Sequence, residues 1–130
     1  MIQILKNIPF FGHLPESDLE AISKTILMEY YPAGHVLFSE GDPGDKMYVI
    51  KSGSVEVIRG KAILTTLGPD RFFGEMALVS DLPRNATLKV KTDTELLVLP
   101  KEDFQHLLKT NPTIATMVSY EVVQRLKTDY

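Results

Sequence analysis

The chain has 130 residues, 44% of them apolar and 24% charged, with 14 basic against 17 acidic side chains and a formal net charge of −3. That composition is one of a folded domain rather than a disordered chain, and without a basic excess it argues against gripping nucleic acid through phosphate neutralisation. There are no cysteines, which excludes disulfides, thiolate metal sites and cysteine nucleophiles and fits a reducing, cytoplasmic setting.

The first quarter reads helical. Ile2, Ile4, Leu5 and Ile8, then Leu14, Leu19, Ile22 and Ile26, recur every three or four residues, with Pro15 suited to a first helical turn and Phe10 and Phe11 placed to pin the segment to a core. From Met28 to Pro100 the period becomes two. Val36-Leu37-Phe38, Met47 to Ile50, Val55 to Ile58 and Leu96 to Leu99 are short apolar runs, and Gly34, Gly41, Pro43-Gly44, Ser52-Gly53, Gly60 and Gly68-Pro69 fall between them as turns. This predicts a sandwich or barrel of short antiparallel strands. After Pro100 the helical period returns: Lys101 to Lys109 predicts a short helix, and Ile114, Met117, Val118, Val122 and Leu126 form one stripe of a closing amphipathic helix. No repeat or linker interrupts the order, so residues 1–130 are expected to be one domain. No apolar run approaches the ~18 residues of a membrane span, and no basic and apolar leader is read.

The segment richest in chemistry runs from Phe73 to Thr87. Phe72-Phe73 ends a strand, Gly74 breaks it, and Glu75-Met76-Ala77-Leu78 is good helix sequence for one turn. The first amides of such a turn lack internal partners and lie at the positive end of the peptide dipoles, a prepared seat for phosphate. Pro83 holds the turn before Arg84, and strand alternation resumes through Asn85-Ala86-Thr87-Leu88. Arg84 can then give two parallel donors to a phosphate whose other oxygens take the amides of Met76 or Ala77 and Asn85. Glu75, acceptor-only when ionised, suits a sugar hydroxyl instead. A phosphate beside a ribose hydroxyl describes a ribose cyclic phosphate.

The run Phe73-Gly74-Glu75-Met76-Ala77-Leu78 through Pro83-Arg84-Asn85-Ala86-Thr87 resembles the phosphate-binding cassette of the cyclic nucleotide-binding domain family. That family includes the catabolite activator protein, protein kinase regulatory subunits and cyclic-nucleotide-gated channels. Glu40-Gly41-Asp42-Pro43-Gly44-Asp45 and Gly53 to Val57 are similar to its glycine-punctuated strands. The resemblance implies a jelly-roll-like β-roll over residues 28–100, N-terminal helices over 1–27, a short phosphate-binding helix within a cassette at 73–87, and hinge and lid helices over 101–130. It implies backbone contacts from Gly74, Met76 and Ala77, a ribose 2′-hydroxyl accepted by Glu75, and exocyclic oxygens held by Arg84. Phe73, Asn85 and Ala86 complete the expected ligand-binding set. Asn85 stands where guanine-preferring members often carry threonine and many adenine-preferring ones a small residue, so it matches neither, and cAMP is favoured only mildly over cGMP.

The purine needs cover from outside the cassette, and the last helix is the candidate. Arg125 lies on its apolar stripe where a guanidinium can stack on a base, and it resembles a lid arginine of bacterial channel domains; Leu126 and Tyr130 are the alternatives. The chain is read as a regulatory binding domain and not an enzyme, with no cofactor. Its output is expected through an effector domain or a homodimer at the C-terminal helix. Rival readings are a degenerate β-roll interaction module that binds no nucleotide, against which the intact Glu75 and Arg84 argue, and a cupin-like metalloenzyme; a plain structural ion pair between Glu75 and Arg84 is the separate alternative for those two side chains. The metalloenzyme needs clustered histidines, and His13, His35 and His106 are scattered.

Overall fold

A computed structural model describes residues 2–12, 14–74, 83–112, 115, 116 and 120. The N-terminal quarter is three short helices, α1 (Ile2–Lys6), α2 (Pro9–Gly12) and α3 (Glu16–Ser23). Pro15 lies one position earlier than expected. With ψ of 151° it is the residue that caps α3, where an extended backbone feeds the first turn, and Glu16 and Asp18 in that turn meet the positive end of the helix dipole.

Six strands follow: β1 (Leu27–Tyr31), β2 (Val36–Phe38), β3 (Lys46–Arg59), β4 (Ala62–Leu67), β5 (Phe72–Phe73) and β6 (Thr87–Pro100); α4 (Lys101–Thr110) comes after them. They form an antiparallel sheet in the order β1-β6-β3-β4, with β2 also pairing β6 and β5 also pairing β3. The mainly β fold with flanking helices is therefore as expected.

Strands β3 and β6 are the spine, and their side chains alternate between two cores. Met47, Val49, Leu97 and Leu99 face Leu5, Phe11, Leu19, Ile22, Phe104 and Leu107 from the helices. Tyr48, Ile50, Leu96 and Val98 face the opposite way, with Val55, Val57, Phe73 and Leu88, into the interior of the roll. Burial on both faces is why these stretches are continuously apolar in sequence. The helix-side cluster closes one face of these two strands, and the second cluster fills the other.

Two of the expected strand boundaries are corrected. The runs Met47–Ile50 and Val55–Ile58 belong to one strand, and Ser52-Gly53 is an irregularity inside it rather than a turn between strands. The register against β6 shifts on either side of Ser52 and Ser54. Gly53 adopts φ of 92°, and a Cβ there would stand 2.3 Å from Thr94 Oγ1 and 2.5 Å from the Asp93 carbonyl oxygen. A bulge with a left-handed glycine lets the buried Thr94 hydroxyl accept from the Ser54 N–H at 3.1 Å and donate to the Thr92 carbonyl at 2.7 Å. Among the described residues no helix is long and apolar enough to cross a membrane.

Candidate functional site

The site starts where β5 ends. Tyr48 on β3 pairs with Phe73 on β5, and their rings stack at 5.0 Å between centroids. Phe38 from β2 lies 6.0 Å from Tyr48 and 6.1 Å from Phe73, so three aromatic rings wall one end of the roll interior. Directly after Phe73 the chain turns at Gly74 with φ of 88°. This is the strand break expected from the sequence, and it also clears space, because a Cβ on Gly74 would come within 2.8 Å of Arg84 Nη1.

Arg84 sits against that wall, only 6% exposed. Its Nη1 donates to the Gly74 carbonyl oxygen at 2.6 Å and its Nη2 to the Lys46 carbonyl oxygen at 2.8 Å. The guanidinium carbon lies 4.1 Å from the Phe38 ring centroid, a cation–π contact strengthened by burial. Burial pushes the Tyr48 hydroxyl above its ordinary pKa, and the nearby Arg84 charge opposes that shift. The arginine therefore supplies positive potential to an otherwise apolar and aromatic interior.

The arginine's main chain is held as firmly as its side chain. The Gly41 N–H donates to the Arg84 carbonyl at 2.8 Å, and the Arg84 N–H donates to the Asp42 carbonyl at 2.7 Å. The loop carrying these groups is itself turned by Asp42, whose Oδ2 accepts from the Ser39 N–H at 2.9 Å. One residue further on, Asn85 is exposed and its carbonyl accepts from Arg59 Nε at 3.1 Å; Ala86 is buried in the roll core.

Thus Phe73, Gly74, Arg84 and Ala86 converge on one end of the roll, with Asn85 at its rim. Glu75, Met76 and Ala77, the expected short helix, and Arg125 with the expected lid helix lie outside the described residues. The expected geometry has Arg84 presenting two parallel donors to a phosphate; here the two terminal nitrogens are directed at main-chain carbonyls from two different segments. Phe38, Tyr48 and the Glu40–Asp42 loop stand out in the sequence as strand and turn residues, not as neighbours of Arg84. The glycines of that loop were visible, but a turn does not announce which arginine it will hold.

A separate cavity of about 360 Å³ is lined by Tyr30, Tyr31, Pro32, Ser52, Asp93, Thr94 and Glu95. Its carboxylates are engaged: Asp93 accepts from the Ala33 N–H at 3.0 Å, and Glu95 accepts from Lys51 at 3.2 Å and Ser52 at 2.9 Å. A hydrogen bond from Tyr30, followed by those from Ser52 and Lys51, holds the Glu95 carboxyl below its ordinary pKa. Among the described residues no group of three or more histidine, cysteine, aspartate or glutamate side chains is arranged to hold a metal.

The family model described as "Cyclic nucleotide-binding domain" matches residues 28–111. A cyclic nucleotide-gated potassium channel of Mesorhizobium japonicum is 37% identical over 123 residues, covering 95% of this chain and 34% of the channel. The regulatory domain of Toxoplasma gondii PKA, solved with cAMP, superposes with a TM-score of 0.72 at 28% identity, over 81% of this chain and 42% of that one. Thermus thermophilus catabolite activator protein gives a TM-score of 0.79 at 31% identity, over 92% and 58%. The chain thus spans about a third of the channel and less than two thirds of either solved protein.

Proposed function

The chain belongs to the cyclic nucleotide-binding domain family, and on that premise we propose that residues 1–130 are one regulatory domain that binds a 3′,5′-cyclic nucleotide, cAMP in preference to cGMP. The observation that carries this reading is Arg84, a buried guanidinium 4.1 Å from the Phe38 ring centroid, beside a glycine whose missing Cβ lets it approach the backbone. A cation in such surroundings strengthens any contact with an anionic phosphate, because little water competes. Phosphate would be shared between Arg84 and main-chain amides of the cassette at Gly74, Met76 and Ala77, with Glu75 accepting from the ribose 2′-hydroxyl. Phe73, Asn85 and Ala86 would border it, and Arg125 would cover the base.

The same arginine offers a route from ligand to output. Its N–H bonds Asp42, and three residues later in that loop the Asp45 carbonyl accepts from the Lys101 N–H at 2.9 Å, at the start of α4. An anion that pulls on the strap around Arg84 therefore acts on the loop that also holds the first residue of α4. Binding would bias a two-state arrangement of the helices after Pro100, read by another domain or partner through the C-terminal helix. No chemistry is performed, and the function is regulatory.

One observation favours a second reading. Arg84 already donates to Gly74 and Lys46, which suits a structural tie in a β-roll that binds protein and no nucleotide. Parallel calorimetric titrations with cAMP and cGMP separate the two. Saturable binding of cAMP, tighter than cGMP, is the expected result; absence of heat with both nucleotides would leave the interaction module as the better account.

A further inference from the structure

Beyond Ile58 and Thr87 the β3–β6 ladder stops, and beyond Phe38 and Leu88 the β2–β6 pairing stops as well. Three segments leave the sheet there: the loop after β2, the turn between β3 and β4, and the strap that carries Arg84 into β6. Isolated hydrogen bonds replace the ladders in tying them together. The Gly41 N–H and Asp42 carbonyl clasp Arg84. The Glu40 N–H donates to Thr87 Oγ1 at 3.0 Å, and Arg59 Nε donates to the Asn85 carbonyl at 3.1 Å. The third side of this triangle, between loop and turn, is the Gly60 N–H donating to Glu40 Oε1 at 3.1 Å.

We propose that Glu40 is a positioning residue for the anion site: by accepting from the Gly60 N–H, its carboxylate closes the triangle of segments that fixes the main chain of Arg84. This inference rests on the proposed cyclic nucleotide function and adds a residue outside the cassette to it. Among the described residues Glu40 contacts both other segments, through its N–H to Thr87 and its carboxylate to Gly60. It is exposed, so its removal leaves no cavity and its effect is on placement rather than on packing. The bond it makes needs an acceptor and not a charge. A glutamine carbonyl oxygen can take the same N–H, and an alanine cannot.

The test is a set of cAMP titrations by calorimetry on the unaltered chain, Glu40→Ala, Glu40→Gln, Arg84→Ala and the double variant Glu40→Ala/Arg84→Ala, with amide exchange at Gly60 and thermal melts without ligand. The expected results are faster Gly60 exchange in Glu40→Ala, an unchanged melt, affinity weakened about three- to ten-fold, as for loss of one hydrogen bond, and affinity restored in Glu40→Gln. Because Glu40 acts through Arg84, removing it from the Arg84→Ala background is expected to change affinity less than two-fold, an estimate that follows from coupling between contacting sites. Unweakened binding by Glu40→Ala while the unaltered chain binds cAMP would overturn this inference alone. No binding by the unaltered chain would overturn the proposed function and this inference with it.

Discussion

Arg84 Nη1 donates to the carbonyl oxygen of Gly74 at 2.6 Å, so the two ends of the segment between them are joined by the side chain expected to hold the ligand. The left-handed backbone at Gly74 aims that carbonyl, and the absence of a Cβ lets the guanidinium approach it. Conformation, close packing and charge therefore meet at one contact.

Gly74→Ala tests that contact. The added methyl would lie 2.8 Å from Arg84 Nη1 and 3.1 Å from the Lys46 carbonyl, at φ of 88°. Backbone strain of this kind costs about 1–3 kcal/mol, and the guanidinium must shift. Both the thermal midpoint and cAMP affinity are expected to fall. Unchanged affinity with a lowered midpoint would separate Gly74 from the binding site.

Gly53→Ala tests the irregularity in β3 and is expected to act on stability first. Its Cβ would clash with Thr94 Oγ1 at 2.3 Å and with Thr94 Cα at 2.7 Å, neither of which can swing away as the tip of a long side chain can. Urea unfolding is expected to show a loss of at least about 2 kcal/mol, from strain and overpacking together. A loss below about 0.5 kcal/mol, the range of an ordinary surface change, would mean the bulge is not fixed by Thr94.

Alkaline pH tests the β1 end of the roll. The Tyr31 hydroxyl donates to Glu29, and that bond, helped by burial and the carboxylate charge, raises its pKa from 10.0 to about 12. A raised folded-state pKa favours the protonated form, so this contribution is complete below pH 10 and is lost as pH rises from 10 towards 12. Chemical unfolding of the unaltered chain and Tyr31→Phe across that window is the measurement. The difference between them should shrink as pH rises; a constant difference would show that the Tyr31–Glu29 bond does not govern the titration.

Much of this architecture is legible in sequence because β3 at Met47–Ile50 and β6 at Leu96–Leu99 are buried on both faces. Met47–Ile50 and Leu96–Leu99 read as strands from their continuous apolar character, and the helices at either side from their spacing. The continuity of β3 through Ser52-Gly53 is not legible, since a left-handed glycine serves turns and bulges alike. Here the choice is made by Thr94, about 40 residues away. Arg84 stands out as a residue type in a distinctive run. Its partners at Lys46, Asp42 and Gly41 act through main-chain atoms that every residue carries, so only the fold reveals them.

The most direct measurement is calorimetric titration of cAMP into the unaltered chain and into Arg84→Ala, with near-ultraviolet circular dichroism to verify that the variant is folded. Saturable one-to-one binding is expected for the unaltered chain. In the variant, loss of a charge-assisted contact should weaken affinity by roughly one to two powers of ten. A folded Arg84→Ala protein that binds cAMP as tightly as the unaltered chain would contradict the assignment of Arg84 as the phosphate-holding residue.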